Sequence, residues 1–83
     1  GELDADNLTV KTAQGTAITA QSSMYATVVN IGEGSTIDGR SDTAKTYGLV
    51  ANTSFSDPST INFNGSQDNR NTIYASGGYG ASA

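Results

Sequence analysis

The chain contains no cysteine and no histidine among its 83 residues. Without cysteine it has no disulfide framework and no thiolate ligand for a metal. Without histidine it lacks the general base of most serine and cysteine hydrolases and a common nitrogen ligand of zinc. His-based catalytic triads, Cys–His pairs and zinc sites are therefore excluded.

Positive charge is also scarce, with four Lys and Arg against eight Asp and Glu and a net charge of −4. Nucleic acid is bound by a basic stripe, and an anionic membrane surface attracts the same charge. No apolar run approaches the roughly 18 residues of a transmembrane helix. We therefore expect no nucleic acid among the partners and no membrane insertion of this segment.

Large aliphatic and aromatic side chains are few. Leu, Ile, Val and Phe together make up 14 of the 83 residues, about 17%, below the roughly 20% typical of a self-sufficient core. The net charge is too small to indicate disorder. A thin core spread along a repeat fits both observations, because each coil of a solenoid buries only a few large side chains.

Short segments with alternating apolar and polar residues recur along the chain. They are residues 8–10, 18–20, 29–31, 36–38, 49–51, 61–63 and 73–75. Each has the period of a short strand with one face in a core. Evenly spaced short strands with turn residues between them predict a solenoid, a sandwich or a barrel.

A longer repeat is superimposed on these strands. Segments 18–23, 49–54 and 73–78 share an aliphatic-x-Ala pattern at offsets of 31 and 24, and segment 35–38 resembles 59–62 at an offset of 24. The repeat predicts coils of about 24 residues, with residues 39–45 looping out of one coil. The whole chain would form about three coils, the usual minimum for such a stack.

Two sets of repeated residues are candidates for columns that run through the stack. Ala20, Ala51 and Ala75 would allow close approach between sheets, although Ala is common enough here for chance to produce the match. Asn30 and Asn62 occupy the centres of matching strands, where Asn is disfavoured. They form either a hydrogen-bonded amide ladder or two independent exposed side chains.

Three stretches resemble bacterial autotransporter passenger domains: residues 27–37 (TVVNIGEGSTI), 46–52 (TYGLVAN) and 71–78 (NTIYASGG). The resemblance covers most of residues 8–78. It implies a right-handed parallel β-helix on the outer surface of a Gram-negative cell. It also implies adhesion, aggregation or host interaction rather than catalysis.

Carboxylates are the remaining candidates for catalysis or metal binding. Hydrolysis of polysaccharides requires two of them facing each other across a cleft, and the candidates Asp38, Asp42, Asp57 and Asp68 lie in turn-like contexts. The acidic start at residues 4–7 lacks the spaced ligands and closing Glu of an EF-hand. We expect no catalytic residue, no metal and no cofactor.

Tyrosine and arginine are the candidates for binding a partner. Tyr47, Tyr74 and Tyr79 have the amphipathic rings typical of binding surfaces, and we expect Tyr74, in mid-strand, to face outward. Arg40 and Arg70 lie in polar turns and could hold a carboxylate or acidic sugar. Isolated surface arginines and solvent-facing strand tyrosines are the alternative for all five residues.

The sequence thus predicts an all-β chain, with a polar lead-in or cap at residues 1–7 and a β-solenoid segment at 8–83 that belongs to a longer protein or assembly. The fold alternative is an antiparallel β-sandwich. We expect a non-enzymatic extracellular adhesin or structural segment, with a host or neighbouring-cell surface protein or glycan as partner. A self-assembling fibre subunit and a fragment of a carbohydrate-active enzyme are the functional alternatives. The end near residues 76–83 carries no charge and no proline, so we expect further chain or another copy to cover it.

Overall fold

The structure is a computed structural model that describes residues 1–12, 15–23, 25–53 and 57–83. Its described residues form nine strands and no helix. The strands are β1 (Glu2–Ala5), β2 (Thr9–Lys11), β3 (Ile18–Ser22), β4 (Thr27–Ile31), β5 (Thr36–Asp38), β6 (Leu49–Thr53), β7 (Ser59–Phe63), β8 (Thr72–Tyr74) and β9 (Ala81–Ser82).

The strands form three parallel sheets, and each strand pairs with the strand three places later in the chain. The sheet orders are β1-β4-β7, β2-β5-β8 and β3-β6-β9. The chain therefore visits the three sheets in turn and returns to the first one layer further on. Coil 1 consists of β1–β3, coil 2 of β4–β6 and coil 3 of β7–β9. The predicted three-coil parallel β-helix is confirmed, and the antiparallel sandwich is wrong.

Strand formation follows the alternation of side chains. In β4, the side chains of Thr27, Val29 and Ile31 are buried, while those of Val28 and Asn30 between them are only partly covered. Successive side chains of a strand point to opposite faces, so the first three line the interior. β-Branched residues dominate this strand, as is typical of a pleated and half-buried surface.

The register aligns apolar residues into columns through the stack. Three inward columns are Leu3–Val29–Ile61, Val10–Ile37–Ile73 and Ile18–Leu49–Ala81. The molecule is flat, with extents of 33 × 33 × 14 Å. The short dimension is what about three layers spaced 4.8 Å apart occupy.

The fully buried core lies in coil 2 alone among the described residues. Its members, each with 0% exposure, are Val29, Ile31, Ile37, Leu49 and Ala51. Inward-facing residues of the outer coils remain partly exposed, for example Leu3 in coil 1 at 38% and Phe63 in coil 3 at 39%. The hydrophobic core is therefore partly exposed at both ends of the stack.

The predicted coil length of 24 residues is wrong. Glu2 pairs with Val28 and Thr27 with Ser59, so the offsets are 26 and 32 residues. The similarity of segments 35–38 and 59–62 is accordingly not structural, because Thr36 pairs with Thr72. Turns differ in length and absorb the difference without disturbing the strands. The predicted loop at 39–45 does lie in a long turn, residues 39–48 between β5 and β6, against 75–80 in coil 3.

The alanine column is confirmed in part. Ala20 pairs with Ala51, but Ala75 follows β8 in a different sheet. The pattern at 73–78 matched the other two segments in composition only, because the third sheet of coil 3 begins later, at Ala81. Ser54, the last residue of the second segment, lies outside the described residues.

Residues 1–7, predicted as a polar lead-in or cap, contain β1, which is the first strand of coil 1 and pairs with β4 over its full length. Its charged residues alternate with Leu3 and Ala5, which occupy inward register positions. The acidic composition belongs to the solvent-facing side of this strand.

A polar corner joins the three coils. The Ser35 hydroxyl, on a residue only 1% exposed, accepts from Leu8 N at 3.1 Å and donates to Gly32 O at 3.1 Å. Ser35 N donates to Asn71 Oδ1 at 2.9 Å. One serine in coil 2 thereby links the turns of coils 1 and 3, and its burial costs little because its polar groups are paired.

Candidate functional site

The outer face of the second sheet carries a row of two charged side chains and one tyrosine. Lys11, Asp38 and Tyr74 are aligned by the register of β2, β5 and β8. Arg40, two residues after Asp38, turns back onto it: Nε donates to Oδ1 at 3.0 Å and Nη2 to Oδ2 at 2.7 Å. Such a two-point contact fixes the guanidinium plane as well as its position.

Arg40 also contacts the next coil. Its guanidinium carbon lies 4.0 Å from the centre of the Tyr74 ring, a favourable cation–π distance. Tyr74 is 40% exposed and faces outward as predicted. Arg40 is thus held between a carboxylate of coil 2 and an aromatic ring of coil 3.

Charge at this pair is fixed by its hydrogen bonds. The Arg40 side chain and then the Arg40 backbone N–H lower the pKa of Asp38 to about 2, with a further contribution from the charge of Lys11. In return, Asp38 raises the pKa of Arg40. Both groups are therefore charged at neutral pH, and Asp38 holds no proton to donate there.

A second aromatic contact lies at the far end of the 39–48 turn. The rings of Tyr47 and Tyr79 are stacked, with centroids 6.1 Å apart and planes inclined by 29°. Tyr79 is 71% exposed and Tyr47 is half-buried. Offset ring pairs of this kind are favourable, and this one ties coil 2 to coil 3.

Backbone contacts between the turns hold these side chains together. Thr46 forms a parallel bridge with Gly77, and its N–H donates to Ser76 O at 2.8 Å. Ser41 N donates to Ser76 Oγ at 2.9 Å. We call residues 38–48 and 74–80 the turn corner. Four of the five predicted binding residues, all except Arg70, lie in it.

Arg70 lies elsewhere. It belongs to the turn between β7 and β8, is exposed, and lies two residues before the first residue of β8. Arg40 is instead stacked on Tyr74, the last residue of that strand. The structure therefore places the two arginines in different turns at opposite ends of β8.

A hollow of about 300 Å³ lies beside the turn corner, and its lining includes Lys11, Asp38, Arg40 and Asp42. Two of the candidate catalytic carboxylates thus share one depression. Retaining and inverting glycosidases both need one carboxyl group in its protonated form. Asp38, with its pKa near 2, could serve only as the ionised member of such a pair at neutral pH.

The outer face of the first sheet carries a side-chain ladder. Asn30 Nδ2 donates to Asp4 Oδ1 at 2.7 Å, and Asn62 Nδ2 donates to Asn30 Oδ1 at 2.8 Å. The amide ladder that the sequence left as one of two alternatives is therefore present, with Asp4 as its third member. Sequence reasoning missed Asp4 because residues 1–7 were set apart, although Leu3-Asp4-Ala5 has the same apolar–polar–apolar pattern as Val29-Asn30-Ile31.

Acidic residues also line a second hollow of about 350 Å³ near the ladder, among them Asp4, Asp6 and Glu33. In the part of the chain that the structure describes, no three carboxylate, imidazole or thiolate groups are arranged to hold a metal ion. Nor does that part contain a helix long and apolar enough to cross a bilayer.

Four of the predicted binding residues thus contact one another in pairs at the turn corner, Tyr47 with Tyr79 and Arg40 with Tyr74. The predicted amide pair, Asn30 and Asn62, is hydrogen-bonded along the ladder. Comparison of the chain with protein-family models, with curated proteins and with solved structures finds no match.

Proposed function

We propose that this chain is a non-enzymatic β-helix segment of a bacterial cell surface, acting in adhesion, aggregation or assembly. The observation that carries the proposal is the contrast between a fully buried middle coil and two open end coils. Strand edges that are neither paired nor covered are templates for further strands. A stack of this kind therefore acts through what adds to its ends and what contacts its sides.

The end formed by coil 3 has the features of an association surface. Phe63 is 39% exposed at an inward register position, and Ile61 and Ile73 are only partly buried. Natural solenoids cover such ends with polar capping repeats. The partly exposed apolar side chains favour coverage by another chain segment.

The turn corner supplies a contact surface on the side of the stack. Tyr79 presents a ring that is 71% exposed and is fixed by stacking on Tyr47. Rigid tyrosines provide contact area at a small cost in conformational entropy. We propose that a surface protein or glycan of a host or neighbouring cell contacts this corner.

Catalysis is less well supported than binding. In the hollow with two candidate carboxylates, both carboxylate oxygens of Asp38 accept hydrogen bonds from Arg40. A carboxylate engaged in this way is suited to positioning Arg40. We therefore place the enzyme alternative behind the adhesive one.

Agglutination of coated beads tests the proposal. Beads carrying the wild-type chain should agglutinate, and Phe63→Lys should reduce this because it places a charge on the open end of coil 3. Thr19→Lys, at an exposed outward position of β3, is the matched control and should change little. Beads that stay dispersed, or sugar release from polysaccharides that is lost in Asp42→Asn, would contradict the proposed function.

A further inference from the structure

One asparagine of the chain is followed by a glycine, at Asn64-Gly65. The pair lies where β7 ends and the turn to β8 begins, and both residues are exposed. Asparagine is among the chemically labile residues of proteins. Glycine has no Cβ, so its main-chain nitrogen can approach the side chain of the preceding residue closely. The side-chain amide of Asn64 therefore lies next to an unusually unhindered main-chain nitrogen.

Hydrogen bonds hold the main-chain amides on either side of Gly65 but not its own. Asn64 N donates to Ile31 O at 2.8 Å, and Ser66 N donates to Asn69 O at 3.3 Å. Within the described residues, neither Gly65 N nor the Asn64 side chain takes part in a hydrogen bond. The nitrogen of Gly65 can therefore lose its proton and turn toward the Asn64 side chain without breaking a bond.

The corresponding amide is also free in the closed middle coil, so this feature does not depend on coil 3 being uncovered. Gly32 N donates to coil 1 just as Asn64 N donates to coil 2. Glu33, the next residue, is therefore the counterpart of Gly65. Its N–H has no hydrogen bond among the described residues either, although coils lie on both sides of it. A further coil of the same kind stacked on coil 3 would leave the Gly65 amide free.

The other asparagines do not share this environment. Each is followed by a residue with a branched, aromatic or long side chain. In three cases that residue belongs to a strand, and in two its N–H donates to Ser35. These asparagines are Asn7, Asn30, Asn52, Asn62, Asn69 and Asn71. Asn62, which is also exposed and lies two residues before Asn64, serves as the internal comparison.

We propose that Asn64 is a site of spontaneous modification, at which the chain converts its own asparagine into isoaspartate and aspartate. Gly65 N attacks Asn64 Cγ, so that an N–Cγ bond forms and the Cγ–Nδ2 bond breaks. Nδ2 leaves as ammonia and takes the proton of Gly65 N. Water then opens the cyclic imide, giving isoaspartate by attack at the main-chain carbonyl carbon and aspartate by attack at Cγ. Water is the co-reactant, and the conversion does not rest on the proposed adhesive role.

The product changes the charge of the acidic hollow on the first sheet. Asn64 lines this hollow together with Asp4, Asp6 and Glu33, so the new carboxylate joins three others. Like charges close together disfavour the charged, folded arrangement, and salt screens the repulsion. Conversion should therefore lower the melting temperature more at low salt than at high salt.

Ageing of the purified chain at mildly alkaline pH, followed by peptide mass spectrometry and chromatography, tests the proposal. The wild type should accumulate isoaspartate and aspartate at position 64, while Asn62 keeps its amide. Isoaspartate is diagnostic, because direct hydrolysis of the side-chain amide gives aspartate alone. Gly65→Ala should slow the conversion at least about tenfold, which is about 1.4 kcal/mol in activation free energy, since its Cβ hinders the attacking nitrogen. That Cβ would lie 3.2 Å from Asn71 N, so the turn accepts it with a small shift.

Each outcome decides the inference. Isoaspartate at position 64 that is suppressed in Gly65→Ala supports it. An intact Asn64 in the folded chain, under conditions that convert a synthetic peptide of residues 62–67, overturns it, because the turn then holds the reacting groups apart. Equal rates at Asn62 and Asn64, or in Gly65→Ala and the wild type, overturn it as well.

Asn64→Asp isolates the effect of the added charge. Its deficit in melting temperature relative to the wild type should shrink as salt is added. Thr19→Asp, which adds the same charge at an exposed position of β3, is the matched control and should show a smaller deficit. Equal deficits in the two variants would contradict the effect assigned to the hollow. Bead agglutination tests the proposed function independently of all these results.

Discussion

Coil 2 and the two outer coils are built from the same kind of strand and differ in what surrounds them. In the column Val10–Ile37–Ile73, Ile37 is 0% exposed, whereas Val10 and Ile73 are only partly buried. The sequence of each strand is equally apolar at this position. Burial in this molecule is therefore a property of neighbouring layers, as expected for a stack in which each repeat contacts only the next.

Buried polar side chains, like buried apolar ones, are found in coil 2 and not in the outer coils among the described residues. The buried polar residues Thr27, Ser35, Asp38 and Thr46 all belong to coil 2. Each is hydrogen-bonded, for example Thr27 Oγ1 to Asn52 O at 2.7 Å. Among the described residues, no buried side-chain nitrogen or oxygen lacks a partner. Among the described residues, the fully buried apolar side chains and the buried polar side chains both belong to the middle coil.

The largest expected effect is on the free energy of unfolding, and it tests whether coil 2 differs from coil 3 through burial alone. Ile37→Ala should cost about 2–5 kcal/mol of unfolding free energy, because it opens a cavity in the closed layer. Ile73→Ala, in the same column at the open layer, should cost about 1–2 kcal/mol. Urea denaturation of both variants measures the difference, and equal losses would mean that coil 3 is as closed as coil 2.

A second test concerns close approach between layers. A Cβ at Gly48 would overlap Ile73 Cγ2 and lie 2.6 Å from Gly80 O, whereas one at Gly80 would lie 3.2 Å from Ile73 Cγ2. Overpacking of this kind typically costs about 1–3 kcal/mol. Gly48→Ala should therefore lower the melting temperature clearly and Gly80→Ala only slightly. The reverse order would show that the outer layer is the tighter one.

A third test uses low pH to break the ion pair between Asp38 and Arg40. The pKa of Asp38 in the folded chain is about 2, below the ordinary value of 3.8. A lowered folded pKa contributes stability above the unfolded value, and this contribution is lost as the pH falls from about 4 to 2. The wild type should lose melting temperature over this range.

Asp38→Asn should lose less over the same interval, since it has no proton to bind at this position. Arg40→Gln should make the loss smaller, because the side-chain hydrogen bonds that lower the pKa of Asp38 are removed while the bond from the backbone N–H remains. Parallel pH profiles for the wild type and Asp38→Asn would show that other carboxylates account for the acid sensitivity.

The smallest effect is expected at the aromatic contact between coils 2 and 3. Tyr79→Ala removes stacking on Tyr47 and should cost less than about 1 kcal/mol, because the ring is largely exposed. Tyr79→Phe keeps the ring and the stacking on Tyr47 and should therefore retain the stability of the wild type. A large loss in Tyr79→Ala would mean that coil 3 depends on this rim contact.

The sequence predicts seven of the nine strands, because their inward residues alternate with polar ones. It misses β1, which alternates but belongs to an acidic segment set apart as a cap, and β9, which has only two residues. It also misjudges the coil length. Side-chain alternation is local, whereas the return distance depends on turns, whose lengths are free to vary.

In the candidate site, too, the sequence predicts what depends on neighbouring residues of one strand and not what depends on contacts between coils. The outward direction of Tyr74 follows from its inward neighbours on the strand. The contacts of Arg40 with Asp38 and Tyr74 do not, because one depends on the path of a turn and the other on the register between coils. Stacking of Tyr47 on Tyr79 likewise requires the 32-residue offset between β6 and β9, which composition does not reveal.

The layering also determines how the molecule responds to force. Strand-to-strand hydrogen bonds in this fold run along the 14 Å axis, so a pull along that axis loads the edge pairs one after another, like opening a zipper. A pull within the plane of the disc loads the bonds of a whole strand at once. Peeling coil 3 from Ser59 to Ala83 would release 25 residues, or up to about 85 Å of extended chain. Because its inward side chains are only partly buried, coil 3 detaches at a lower force than the closed middle layer.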